Sequence, residues 1–292
     1  MRKLEDRIFR TVLGFLSLVT VLLLAFLIFF IFRESMTAIR EVGLGELLLG
    51  DQWRPLIYKD VPRFGMRNMV LSTLYVAGLA VLFSLIIGVG CALFLACAAT
   101  DRQRTLVMPY IDLLASIPSV IYGFIGLYII VKFFEKLGRA TGESILAGGI
   151  VLSVMILPYM ISSCCDTMVK LKKRHGSASD AMGVSKWYMA GQMILPASTR
   201  GILISMALAT GRAMGETMAV MMVMGNSIAF PKLLGKGETI SALIAMEMGI
   251  AEVGSTHYSA LYCAGLVLMV MLFAINIVFD LLKKKLAKEV AA

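Results

Sequence analysis

The chain has 292 residues, 59% hydrophobic and only 16% charged, against roughly half and a quarter in soluble domains, which excludes a soluble globular protein. A net charge of +9 invites a nucleic-acid reading, but no basic stripe interleaved with aromatics occurs and the positive residues sit between apolar runs, so no nucleic-acid partner is expected. Those runs reach about 20 residues, enough helix to cross roughly 30 Å of hydrocarbon, and lack the alternation of a transmembrane barrel. They predict an all-α polytopic protein surrounded by membrane lipid.

The first run, Thr11 to Phe32, is 22 residues long. That is about 33 Å of helix, too long for a signal-peptide core. With no A-x-A cleavage site after it, it reads as a retained signal anchor. A loop near 33–67 follows, in which Trp53 and Tyr58 read as anchors at the membrane interface. Five further spans are expected at Met69–Ala99, Thr105–Val131, Ile145–Cys164, Gly201–Gly225 and Tyr258–Leu282, with packing kinks at Pro118 and Pro158. The methionines at 218, 221, 222 and 224 read as fillers of a helix interface. The expected division is an anchor helix and external loop (1–68), a transmembrane domain (69–282) and a basic tail (283–292).

The five cysteines fall inside or beside the apolar runs without metal spacing, so neither a disulfide framework nor a zinc site is expected, and the vicinal Cys164-Cys165 reads as reduced and inert. His175 and His257 are too isolated for a metal cage. Orientation follows from Lys and Arg in the short connections. With the N-terminus inside, the inner segments hold 16 basic residues and the outer ones 11; counting acids, the inside carries about +9 and the outside about +1. Both termini are therefore expected in the cytoplasm.

No P-loop, H-E-x-x-H or G-x-S-x-G motif is present, so energy from ATP would have to enter through a partner. Two segments stand out. One is the polar stretch Asp166–Arg200, with a glycine at 183 and an ending at Pro196. The other is Thr210-Gly211-Arg212-Ala213-Met214-Gly215-Glu216-Thr217, which puts two ionised groups in an otherwise apolar span. Arg212 lies about 18 Å along the helix from Arg200, near mid-membrane, where charges must face the bundle interior or a water-filled cavity. On one continuous helix Arg212 and Glu216 would be neighbours at i and i+4. Gly211 and Gly215 have the spacing that lets another helix approach. The pair reads either as a packing ion pair or as the lining of an anion path.

Several segments carry a family resemblance. Ser177-Ala178-Ser179-Asp180-Ala181-Met182-Gly183, with Leu195-Pro196 further on, resembles the E-A-A-x-x-x-G-x(9)-I-x-L-P loop of permeases in binding-protein-dependent ABC importers; Ser177 stands for the Glu, Ser179 for the second Ala and Met193 for the Ile. Gly211 to Val220, followed by Met222-Val223-Met224-Gly225-Asn226, looks like the G-R-A-x-G-E-T-M-A-V…M-V-x-G-N signature of the PstC-type permease of the high-affinity phosphate importer. Asp112 to Gly123 is similar to that family's E-L-L-A-G-I-P-S-V-V-Y-G, with Asp112 for Glu and Ser116 for Gly. The resemblance covers roughly residues 64–282 and implies the type I ABC importer transmembrane fold with six membrane helices in the bacterial plasma (inner) membrane. It implies a substrate pathway through Arg212, Glu216, Thr217, Asn226 and Asp112. It also implies that Ser177, Ala178, Ser179, Asp180, Ala181, Gly183, Leu195 and Pro196 form the loop, with its short coupling helix, that docks on an ATPase.

The implied partners are a second, PstA-type permease, two PstB-type ATPases holding ATP and Mg, and an external PstS-type phosphate-binding protein; this chain itself is expected to hold no cofactor or metal and to be no enzyme. A secondary anion carrier or channel using Arg212, a permease for another oxyanion, and a non-transporting scaffold remain as alternatives. Reporters fused after Lys173 or Lys288 should be cytoplasmic and those within 40–60 or 232–240 external; opposite sidedness at any two of these sites would overturn the six-span topology.

Overall fold

The computed structural model describes residues 2–55, 61–138 and 141–289, without the side chains of 2–8, 180 and 287–289. Tyr58 and the side chain of Asp180 lie outside the described residues. The helices are α1 (Arg2–Glu41), α2 (Leu44–Leu49), α3 (Arg67–Ala98), α4 (Asp101–Ser116), α5 (Ser119–Lys136), α6 (Ile145–Ala181), α7 (Lys186–Ala197), α8 (Thr199–Gly215), α9 (Met218–Met224), α10 (Ile240–Glu247) and α11 (Thr256–Glu289). A two-stranded antiparallel hairpin, β1 (Trp53–Arg54) and β2 (Arg63–Phe64), sits between α2 and α3.

Four helices, α1, α3, α6 and α11, are long and apolar enough to cross a membrane. Two bent pairs, α4 with α5 at 88° and α7 with α8 at 61°, bring the crossings to six. The third span bends sharply at Pro118, where a packing kink was expected, and the bend between α7 and α8 lies just ahead of the expected fifth span. Pro118 explains the first break, because it donates no N–H and pushes Ile117 into an extended conformation. The fifth span, expected as one rod from Gly201 to Gly225, breaks after Gly215 and resumes at Met218. By contrast, Pro158 is carried inside α6 without ending it.

The bundle centres on α3 and α6, whose residues meet in parallel register: a Cβ on Gly148 would lie 3.2 Å from Val76 Cγ2, and one on Gly88 2.9 Å from Met160 Cβ. Such small residues let two helices approach closely where lipid gives no hydrophobic drive. A central apolar cluster gathers Val76, Tyr122, Val151, Met155, Met214 and Val223 from α3, α5, α6, α8 and α9. A second cluster, at the Gly183 end, joins α3, α6 and α7 through Leu95, Cys164, Met168 and Ile194. All five cysteines are free.

The third cluster, at the hairpin end, packs Ala38, Leu47, Trp53 and Phe64 against Ile240, Leu243, Ala260 and Leu261. Here Trp53 corrects its reading as an interface anchor. It is 3% exposed, and its Nε1 donates to Glu247 Oε2 at 2.8 Å. The same carboxylate oxygen lies 2.7 Å from His257 Nε2. One acid therefore joins the hairpin, α10 and α11.

Helix α10 runs from the flank of α3 to the hairpin. Its first N–H, on Ile240, donates to Thr73 Oγ1 at 3.0 Å, well inside α3, while its last residue, Glu247, returns to the hairpin end. Just before it lies Glu238, 4% exposed and with no hydrogen-bond partner among the described residues. Burial, and then repulsion from Glu247, push its carboxyl up to about 7. A folded-state value above the unfolded 4.5 favours the proton, so folding pays no ionisation penalty below about pH 4.5 and loses stability as pH rises toward about 7. That loss is on the order of 3 kcal/mol. Glu238→Gln should remove the decline in thermal stability between pH 5 and 8; an unchanged decline would place its origin elsewhere.

Candidate functional site

The site grows out of two breaks in helix backbone. In an unbroken helix Leu114 O would accept from residue 118 and Ala115 O from residue 119, but Pro118 has no N–H and the chain turns away. The Ile117 N–H reaches back to Leu114 O at 3.3 Å, and side chains supply the remaining donors. Tyr122 Oη donates to Leu114 O at 2.8 Å, and Tyr159 Oη, from α6, donates to Ala115 O at 3.1 Å. On the same stretch of α4, Asp112 Oδ1 accepts from Ser162 Oγ at 2.9 Å.

Across α6 from α4 stands α8, tied by Ser205 Oγ to Ser163 Oγ at 2.7 Å. Seven residues further along α8, the Arg212 guanidinium carbon lies 4.4 Å from the centroid of the Tyr159 ring. That is a cation–π contact. Arg212 is exposed on the single chain and sits in the last turn of α8, where the helix dipole favours a cation.

Glu216 does not pair with Arg212, which corrects the expectation that the two share one helix face. Helix α8 ends at Gly215, and Glu216 has an extended backbone, with φ −72° and ψ 130°. Its side chain turns forward instead, Oε1 accepting from the backbone N–H of Ala219 at 3.3 Å. Its carbonyl accepts from Ser241 Oγ at 2.8 Å, so the start of α10 holds the break. Thr217 closes the same turn, Oγ1 donating to Gly215 O at 3.3 Å. Asn226, beyond Gly225, adopts φ +42° and donates from Nδ2 to Met221 O at 3.0 Å, while its Oδ1 is buried without a partner. Gly211 and Gly215 have nothing within 4 Å on their Cβ side, so no other part of the described chain uses their approach surface.

The structure thus brings Asp112 and Arg212 to the two flanks of α6, with Glu216 and Thr217 just beyond Arg212. Asn226 lies apart, at the far end of α9. Sequence reasoning missed Tyr159, Tyr122, Ser162 and Ser241. The usable signal was Pro118 itself, because each break in lipid demands donors, and the tyrosines at 122 and 159 supply them.

The polar stretch between α6 and α8 has its own geometry. Ser177, Ala178, Ser179 and Ala181 form the last turns of α6 rather than a separate short helix. Gly183, at φ +69°, ends it, with Val184 N–H bonding Ser179 O at 3.1 Å in the left-handed cap that glycine favours. Ser185 then caps α7, accepting from Tyr188 N–H. Leu195 and Pro196 close α7 before the 61° bend. Met182, Trp187 and Tyr188 project outward at this turn, Trp187 74% exposed. Behind them, Lys172 Nζ binds the end carbonyls of α3, Ala96 O at 2.9 Å and Cys97 O at 3.3 Å.

Residues 87–291 match the family of binding-protein-dependent transport system inner membrane components, and the chain belongs to that family: it is a multi-pass ABC transporter permease, a transporter component rather than an enzyme. Among its relatives is the probable ABC transporter permease YqgH of Bacillus subtilis, 35% identical over 78% of this chain and 74% of that one. Another is the phosphate transport system permease PstC of Xylella fastidiosa, 31% identical over 82% of this chain and 78% of that one. The fold is that of type I ABC importer permeases. A chain of a bacterial alginate ABC transporter aligns over 93% of this chain and 96% of its own length, with a TM-score of 0.61 at 15% identity. A chain of the MetNI methionine ABC transporter aligns over 74% and 93%, with a TM-score of 0.58 at 17% identity.

Proposed function

We propose that the chain is one permease of an ATP-driven phosphate importer in a bacterial plasma membrane, with both termini in the cytoplasm. The observation that carries the reading is Arg212: an arginine without an ion-pair partner among the described residues, exposed on a membrane helix beside a backbone break. A charge at that depth must face water or protein. Its planar donors suit two oxygens of a phosphate anion. A second, PstA-type permease would complete the path over the open surface of Gly211, Arg212 and Gly215. The similarity to PstC permeases supports phosphate over another oxyanion.

In this reading two ATPase subunits, binding ATP with Mg, sit against the Gly183 turn, where Trp187 and Tyr188 offer an apolar knob beside the basic α6 end. An external phosphate-binding protein delivers substrate at the hairpin end. Asp112, bonded to Ser162 at the cytoplasmic side of Arg212, repels the anion onward and limits how tightly the path holds it. Conduction requires binding weak enough for exit.

Phosphate uptake by the complex reconstituted in vesicles is the direct test. Arg212→Gln should lower uptake at least about tenfold with assembly intact, the loss expected for a charge-assisted hydrogen bond. Arg212→Lys should recover part of it. Glu216→Gln should cost less than Arg212→Gln, because an amide oxygen still accepts from Ala219 N–H. Unaltered uptake in Arg212→Gln would remove the arginine from the path. Gly183→Trp, strained at positive φ, should abolish ATP-driven uptake while the permease remains in the membrane; normal uptake would exclude this turn from coupling.

A further inference from the structure

Tyr159 touches both the Arg212 guanidinium and the α4–α5 break. A guanidinium carries its five N–H donors on its edge and none on its face. Stacking on a ring therefore fixes the plane of the group and leaves the donors free. The Tyr159 ring is itself fixed, because α6 is packed along its length against α3 and the hydroxyl at the far end of the ring donates to Ala115 O at 3.1 Å. That carbonyl is the one that Ser119 N–H would have engaged had α4 continued. Tyr159 is 39% exposed, so the stacked pair opens onto the unfilled side of the chain, the side on which Gly211 and Gly215 are also bare.

We propose that Tyr159 is a positioning residue for anion transfer: its ring face sets the plane in which Arg212 presents its donors, and its hydroxyl ties that plane to the Pro118 break. The inference rests on Arg212 being the anion-binding group of the path. It separates into two parts. The ring serves Arg212, and phenylalanine retains it. The hydroxyl serves Ala115 O, and phenylalanine loses it.

The experiment uses the full complex in vesicles, with arginine-selective labelling by phenylglyoxal read at individual residues and phosphate uptake measured alongside. Loss of a cation–π contact should speed labelling of Arg212 about fivefold in Tyr159→Leu and by a smaller factor in Tyr159→Phe, which keeps the ring but loses its tether, and leave the exposed Arg200 unchanged in both. Uptake should fall about fivefold or more in Tyr159→Leu and be largely retained in Tyr159→Phe. Should Tyr159→Leu assemble poorly, Tyr159→Met keeps the bulk without the ring face and carries the same expectation. Equal labelling of Arg212 in the wild type and in the ringless variant overturns the proposal, as does faster labelling with uptake unchanged. Inorganic phosphate should also slow Arg212 labelling in the wild type. If it does not, and no phosphate is taken up, the phosphate reading fails, while accelerated labelling in Tyr159→Leu still establishes the stacking.

Discussion

In hydrocarbon no water is available to an N–H or C=O released from a helix, and each one left bare costs several kcal/mol. This chain breaks its helices at Pro118 and again at Glu216, and the site is built from the groups that repair those breaks. Tyr122 and Tyr159 donate to Leu114 O and Ala115 O, and Ser241 donates to Glu216 O. Each repair comes from a helix other than the one it mends: Tyr122 from α5, Tyr159 from α6 and Ser241 from α10. Repair therefore also sets the mutual position of α4, α6, α8 and α10.

The same economy governs charge. Arg212 rests at the C-terminal end of α8 over an aromatic face, and Glu216 accepts a backbone N–H at the start of α9. Each ion is stabilised by a helix terminus rather than by the other. In the proposed anion path a tight Arg–Glu pair would have to be pulled apart at each transfer, whereas a guanidinium over a ring keeps its edge donors available. Asp112 is similarly engaged by a neutral hydroxyl, Ser162, rather than by the arginine.

Much of this was legible beforehand. Apolar runs located the crossings, and the order of the Arg212 and Gly183 segments along the chain pointed to the family that residues 87–291 match. What failed was continuity. Helical periodicity assumes an unbroken rod, and Gly215-Glu216-Thr217 contains no proline to announce that the rod stops. Trp53 failed for a related reason: a tryptophan in a polar loop resembles an interface anchor until the partner for its N–H, Glu247, is found 194 positions away. Long-range pairings of that kind leave no local trace in composition, and Tyr159 was overlooked because its partners lie on α4 and α8.

The hairpin end has a bearing on how the protein comes into being. Its apolar cluster draws on Ala38, Leu47, Trp53 and Phe64 from the first quarter of the chain and on Ile240, Ala260 and Leu261 from the last fifth, and α1 packs chiefly on α11. During synthesis the early half of that cluster must wait in the membrane, its tryptophan N–H uncommitted until α10 has emerged and its apolar faces incomplete until the final helix follows. Contacts so distant along the chain close slowly because loop closure precedes their reward. The Glu247 junction is thus finished last: a chain truncated before α11 can join the hairpin to α10 but lacks His257, the arm that ties both to the final helix.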